Sequence, residues 1–113
     1  MTCVFCQIAA GQQPAEIVYE DERAVAFRDL RPQAPVHILI IPRAHISGPL
    51  HVDGDNAPLI GHLVAVAAQV AQREGIAEAG YRLVLNQGRA SGQSVYHLHL
   101  HLLGGRRMGW PPG

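Results

Sequence analysis

Residues 97–101 read His97-Leu98-His99-Leu100-His101, placing three imidazoles at strict period two. Alternate side chains of an extended strand share a face. Three rings would then stand along one side, with Cα atoms roughly 6.5–7 Å apart. Imidazole is largely neutral near pH 7 yet easily protonated. Such a row can supply a nucleophile, a proton donor and an orienting group, or it can supply three metal ligands. Just upstream, Gln87-Gly88-Arg89-Ala90-Ser91-Gly92-Gln93-Ser94 mixes glycines with hydroxyl and amide donors. Glycine lets backbone N–H groups approach a ligand closely, and successive N–H groups form an anion-binding concavity. Beside a histidine row, such a loop suits a phosphate. Cys3 and Cys6 form a C-x-x-C pair, which reads as two unrelated thiols or as half of a zinc site.

The elements that must position these residues are short. Residues 3–10 read as a helix stopped by Gly11, and Ile17–Glu20 and Arg23–Arg28 as brief strands. Val36–Ile41 is a β-branched-rich run closed by Pro42, the pattern of a buried strand. Residues 57–74 form the one long helix, with Asp55 or Asn56 to cap it, Pro58 in its first turn and Gly75 to end it. His62 falls in that helix and reads as structural. Tyr81–Asn86 and residues 95–103 look like a hairpin around the Gly-Ser loop, with Leu98, Leu100 and Leu102 facing the core. Short strands with few helices imply an antiparallel α+β domain over residues 1–113.

The chain has 113 residues, 48% of them hydrophobic, with nine basic and nine acidic side chains. That is enough for one core, and the zero net charge argues against a nucleic-acid partner. No apolar stretch approaches a membrane span and no leader pattern opens the sequence, so the expected location is cytoplasmic.

Together these residues resemble the histidine-triad (HIT) family. His97-Leu98-His99-Leu100-His101-Leu102-Leu103 matches its signature of histidines alternating with apolar residues. The stretches 27–37, Ile41-Pro42-Arg43-Ala44-His45-Ile46, Asn86-Gln87-Gly88, Gly92-Gln93-Ser94-Val95-Tyr96 and the tail 104–113 are similar to the HINT branch, so the resemblance covers essentially the whole chain. It implies a five-stranded antiparallel sheet with one long and one short helix, joined into a ten-stranded sheet across a homodimer. It also implies a purine nucleoside phosphoramidase that cleaves the P–N bond of adenylyl-amines. In that reading His99 attacks phosphorus and forms a nucleotidyl-histidine, held in the right tautomer by the His97 carbonyl. His101 and Ser94 meet the phosphate and the leaving amine, with backbone N–H groups near Gln93. Phe5 and Leu30 wall the base, Asp29 takes the ribose hydroxyls, and Asn86 and Gly92 complete the nucleotide site. For Asp29 the residues alone favour a turn-forming role ahead of Arg31-Pro32.

Some bacterial HIT proteins share the N-terminal C-x-x-C and bind zinc. Resemblance to them implies a closed structural site of Cys3, Cys6, His45 and His97, and no organic cofactor. His37 then either supports the triad or is a satisfied core histidine. The rival readings are a dinucleoside polyphosphate hydrolase, a catalytic metal on the three histidines, and a non-catalytic purine-nucleotide sensor.

Overall fold

The computed structural model describes residues 3–113, in the order α1 (Val4–Ala9), β1 (Ile17–Glu20), β2 (Ala24–Arg28), β3 (Val36–Pro42), α2 (Ala57–Arg73), β4 (Tyr81–Leu85) and β5 (Leu100–Gly104). All five strands join one antiparallel sheet in the order β1-β2-β3-β5-β4. This is the α+β architecture expected, with one long and one short helix.

β3 is apolar apart from His37 because both of its faces are covered. Ile38 and Ile40 join Leu63, Val66 and Val70 of α2 in one core cluster, while Leu39 and Ile41 join Phe5 and Ile8 of α1 in another. Leu98, Leu100 and Leu102 belong to the α2 cluster. The alternation then leaves His99 and His101 for the α1 side of the sheet.

α2 ends as its sequence suggests. Gly75 takes φ +76°, and the N–H groups of Ile76 and Gly75 donate to the carbonyls of Ala71 and Gln72, closing a Schellman motif. The start differs from expectation. Asn56 sits at the cap position but its side chain accepts from the Asp53 N–H rather than from the helix. His62 ties α2 to the β1–β2 turn, its Nε2–H donating to Asp21 at 2.6 Å and its Nδ1 accepting from Arg23 at 3.1 Å.

The strand expected over residues 95–103 forms only from Leu100. β4 ends at Leu85, directly opposite Leu100, and β3, which runs on to Pro42, pairs with β5 only as far as Leu100. Residues 95–99 leave the sheet instead, and the Leu98 N–H donates to the Ile46 carbonyl at 2.6 Å. The β4–β5 hairpin is present with a longer loop. Among the described residues no helix is long and apolar enough to cross a membrane.

Candidate active site and metal cluster

On the α1 side of the sheet, Phe5, Ile8, Phe27 and Leu39 wall a cavity of about 290 Å³. Asp29, Leu30, Ser94, His99 and His101 also line it. α1 contributes Phe5 because its one buried stripe must pack on β2 and β3. Phe5 meets the His99 ring edge-on, with centroids 5.1 Å apart.

The tautomer of each histidine follows from its partners. The buried His99 Nδ1–H donates to the His97 carbonyl at 2.8 Å. That leaves the Nε2 of a neutral His99 as a free lone pair. On β3, the Gln33 backbone N–H donates to His37 Nδ1 at 3.0 Å, so a neutral His37 carries its proton on Nε2. His37 Nε2–H in turn donates to His101 Nδ1 at 2.9 Å. A neutral His101 therefore carries its own proton on Nε2. His37 reaches it as a diagonal neighbour, because His101 lies opposite Leu39 and His37 opposite Leu103. Burial, with the imidazoles of His99 and His37 nearby, pushes His101 down to about 4. Burial also lowers His37, against the pull of Asp29. Both rings are thus neutral near pH 7, which the tautomer chain requires.

Asp29 forms the turn ahead of Arg31-Pro32 and also lines the cavity. One oxygen accepts the Arg31 N–H at 2.7 Å and forms the turn, while the other lies 3.5 Å from His37 Nε2. Leu30 is almost fully exposed at the cavity rim. Asn86, Gly92 and Gln93 are not among the residues that line this cavity. Gln93 is buried as a strut, accepting from the Gly88 N–H at 2.8 Å and donating to the Ser47 and Val95 carbonyls. Its amide is consumed by holding the loop shut. Gly92 caps a short helical turn at φ +86°. Arg28 also lines the cavity, a role its sequence context barely marks. It pairs with Glu74 through two bonds of 2.8 and 3.0 Å and with Glu16 at 2.9 Å. Only its position beside Asp29 hinted at this, since Glu74 is 46 residues away in sequence.

The three signature histidines do not act as one row. His97 precedes the strand, and its ring turns to Cys3, Cys6 and His45, whose donor atoms all lie within 4.8 Å of one another. His97 Nε2–H donates to the Pro42 carbonyl at 2.8 Å, so Nδ1 faces the cluster as a lone pair. His97 Nδ1 stands 3.2 Å from His45 Nδ1, 3.3 Å from Cys3 Sγ and 3.5 Å from Cys6 Sγ, and Cys6 Sγ is 3.4 Å from His45 Nδ1. Tetrahedral zinc with bonds of about 2.0–2.3 Å separates its ligands by roughly 3.3–3.8 Å. Two Sγ and two Nδ1 at these spacings fit that ion. The other donor cluster among the described residues is Asp29, His37 and His101; neither contains His99, so three triad nitrogens do not share one metal position.

The match to known proteins follows the same residues. The HIT domain family model covers residues 10–108. The chain belongs to the HIT domain family. The HIT match starts after Cys3 and Cys6, which stand with His45 and His97 in the donor cluster. The chain is 49% identical over 106 residues to the purine nucleoside phosphoramidase of Escherichia coli, covering 94% of this chain and 89% of that protein. It is also 49% identical over 112 residues to a 14 kDa zinc-binding protein of Zea mays, covering 97% and 87% of the two chains. In three dimensions it resembles a HIT family hydrolase from Legionella pneumophila with a TM-score of 0.97 at 54% identity, over 99% of this chain and 100% of that one.

Proposed function

We propose that this HIT protein is a purine nucleoside phosphoramidase that hydrolyses the P–N bond of adenosine 5′-phosphoramidates through a nucleotidyl-His99 intermediate. The carrying observation is the His99 Nδ1–H bond to the His97 carbonyl, at the head of a cavity that also holds His101 and Ser94. It leaves Nε2 as the nucleophile. The similarity to the E. coli phosphoramidase supports the substrate class.

In the first step His99 Nε2 bonds to phosphorus as the P–N bond breaks. The departing nitrogen takes one proton from solvent, while the Nε2–H of the neutral His101 and the Ser94 hydroxyl donate hydrogen bonds to the phosphate oxygens. Water then attacks phosphorus, the Nε2–P bond breaks, and one proton is returned. Splitting one displacement into two lower barriers is the gain of covalent catalysis. Phe5 and Leu30 flank the base and Asp29 receives the ribose hydroxyls in this reading.

Zinc on Cys3, Cys6, His45 and His97 would serve as a structural ion. Four protein ligands leave no open position for water or substrate, and the similarity to the maize zinc-binding protein supports the metal. Thiolate ligands suit the reducing cytoplasm, which is the proposed location. A homodimer belongs to the same reading, because β4 is an edge strand whose outer backbone groups can pair with a second copy. Light scattering on the purified protein tests that point.

The test of the reaction is acid quench of protein mixed with labelled adenosine phosphoramidate. Label should remain on wild-type protein and vanish with His99→Ala, whose turnover should fall by on the order of 10⁴-fold. Near-full activity in that variant would end the covalent reading.

A further inference from the structure

Cys3 and Cys6 are the only cysteines of the chain, and both stand partly exposed in the donor cluster. Cys3 is the N-cap of α1, and its Sγ accepts the Cys6 backbone N–H at 3.3 Å. The Gln7 N–H donates to the Cys3 carbonyl at 3.0 Å, so a closed helical turn links the pair. One such turn holds Cα atoms three residues apart at about 5 Å, within the roughly 4.4–6.8 Å that a disulfide spans. The two sulfurs lie within 4.8 Å of each other. A groove of about 740 Å³ opens onto both of them and onto His45. A small oxidant can therefore reach sulfurs whose partner is one turn away.

We propose that Cys3 and Cys6 are a peroxide-sensitive thiol pair whose oxidation dismantles the metal cluster and loosens the His97 carbonyl that orients His99. Cys6 Sγ, as the thiolate, attacks one oxygen of a peroxide; an S–O bond forms, the O–O bond breaks and hydroxide leaves. Cys6 leads because the Cys3 sulfur is already engaged by the Cys6 N–H. The Cys3 thiolate then attacks Cys6 Sγ, so the S–S bond forms and the S–O bond breaks, releasing a second hydroxide. Two thiolates lose two electrons in all, and one peroxide is reduced to two hydroxides. A disulfide has no thiolate to offer, which leaves His45 and His97 alone where a structural zinc needs four ligands. His97 carries the change to His99, since its ring belongs to the cluster and its carbonyl holds the His99 Nδ1–H. A dithiol reverses the bond, in keeping with the transient, redox-sensing disulfides of a reducing compartment. The effect on turnover rests on the phosphoramidase reading; the oxidation and the metal release do not.

The experiment treats zinc-loaded protein with hydrogen peroxide. It follows released zinc with a chromogenic chelator, free thiols by titration, the Cys3–Cys6 bond by peptide mapping, and turnover of adenosine phosphoramidate. Zinc release, loss of both thiols and a bonded peptide lighter by two hydrogens should advance together. Turnover should fall about 10–100-fold and recover when a dithiol and zinc are added back. Cys6→His keeps four donor residues but leaves Cys3 without a partner, so its zinc should stay bound at the same peroxide dose. If that variant does not fold, the wild-type zinc, thiol and peptide readouts decide alone. A protein that takes up no zinc, zinc retained after the thiols are lost, or a bond between chains rather than within one would overturn the proposal. So would equal zinc release from Cys6→His, or release with turnover unchanged. If untreated wild type does not cleave the amidate, the phosphoramidase reading falls, and zinc, thiols and peptide mass still judge the thiol pair.

Discussion

The His97 carbonyl accepts the Nδ1–H of His99 at 2.8 Å, while the His97 ring turns away to stand 3.2–3.5 Å from the donor atoms of His45, Cys3 and Cys6. One residue thus joins the metal cluster to the group that orients the proposed nucleophile. Its backbone serves one site and its ring the other.

That connection makes metal loss a catalytic event as well as a structural one. Cys6→Ser should reduce bound zinc well below stoichiometric and lower Tm by roughly 10 °C, the scale of a loss of 2 kcal/mol or so in a chain of this size. Turnover should fall about 10–100-fold with KM nearly constant, because a loosened His97 carbonyl misplaces His99 rather than the nucleoside cavity. Metal analysis, thermal melts and kinetics on one preparation check all three.

His37 acts on His101 from the adjacent strand, so its replacement should affect turnover more than binding. His37→Phe removes the Nε2–H donor and frees His101 to take the other tautomer, lowering kcat about 10–100-fold with KM little changed. His37→Gln, which can still present an N–H, should recover part of that loss. A variant that changed KM alone would place His37 in substrate binding instead.

Acid should unfold the protein through these same rings. His37 and His101 bind protons less readily when folded than at their ordinary value of 6.5, His101 down to about 4. Between those limits the unfolded chain holds more protons, so stability is full above pH 6.5 and falls as pH drops toward 4. Urea midpoints at pH 7.5 and pH 5 measure the slope. His101→Gln should flatten it, since glutamine takes no proton.

Gly105 takes φ +87°, and a Cβ placed there would stand 2.9 Å from Pro35 Cβ. Gly105→Ala must adopt a left-handed backbone and displace a rigid ring. A destabilisation of about 1–3 kcal/mol is expected, read as a lower urea midpoint with an unchanged slope.

Much of the site was legible because its signals are local. The buried β3 run and the Gly75 stop each depend on a few neighbouring residues, and each stands in the structure as its spacing suggested. The hairpin was legible too, but its length was not. Nothing in residues 95–99 reveals that β4 ends at Leu85, opposite Leu100, or that Leu98 bonds to Ile46 instead of to a strand. Gln93 looked like a ligand donor because an amide in a Gly-Ser loop carries no mark of which partner will claim it. The carbonyls of Ser47 and Val95 claimed it.

The sequence by itself determined that three imidazoles would fall on one side with their leucines in the core, since alternation is a property of extended backbone. It also placed Cys3 and Cys6 one helical turn apart, as potential half of a metal site. Only the tertiary structure decided how the three rings divide. His97 lies where β5 has left the sheet, close enough to α1 and His45 to face their donor atoms, whereas His99 and His101 remain above β3. That division rests on contacts spanning 94 residues, from Cys3 to His97, and on one cross-strand diagonal, from His37 to His101. Spacing along a chain carries no information about such distances until the sheet and helices are packed.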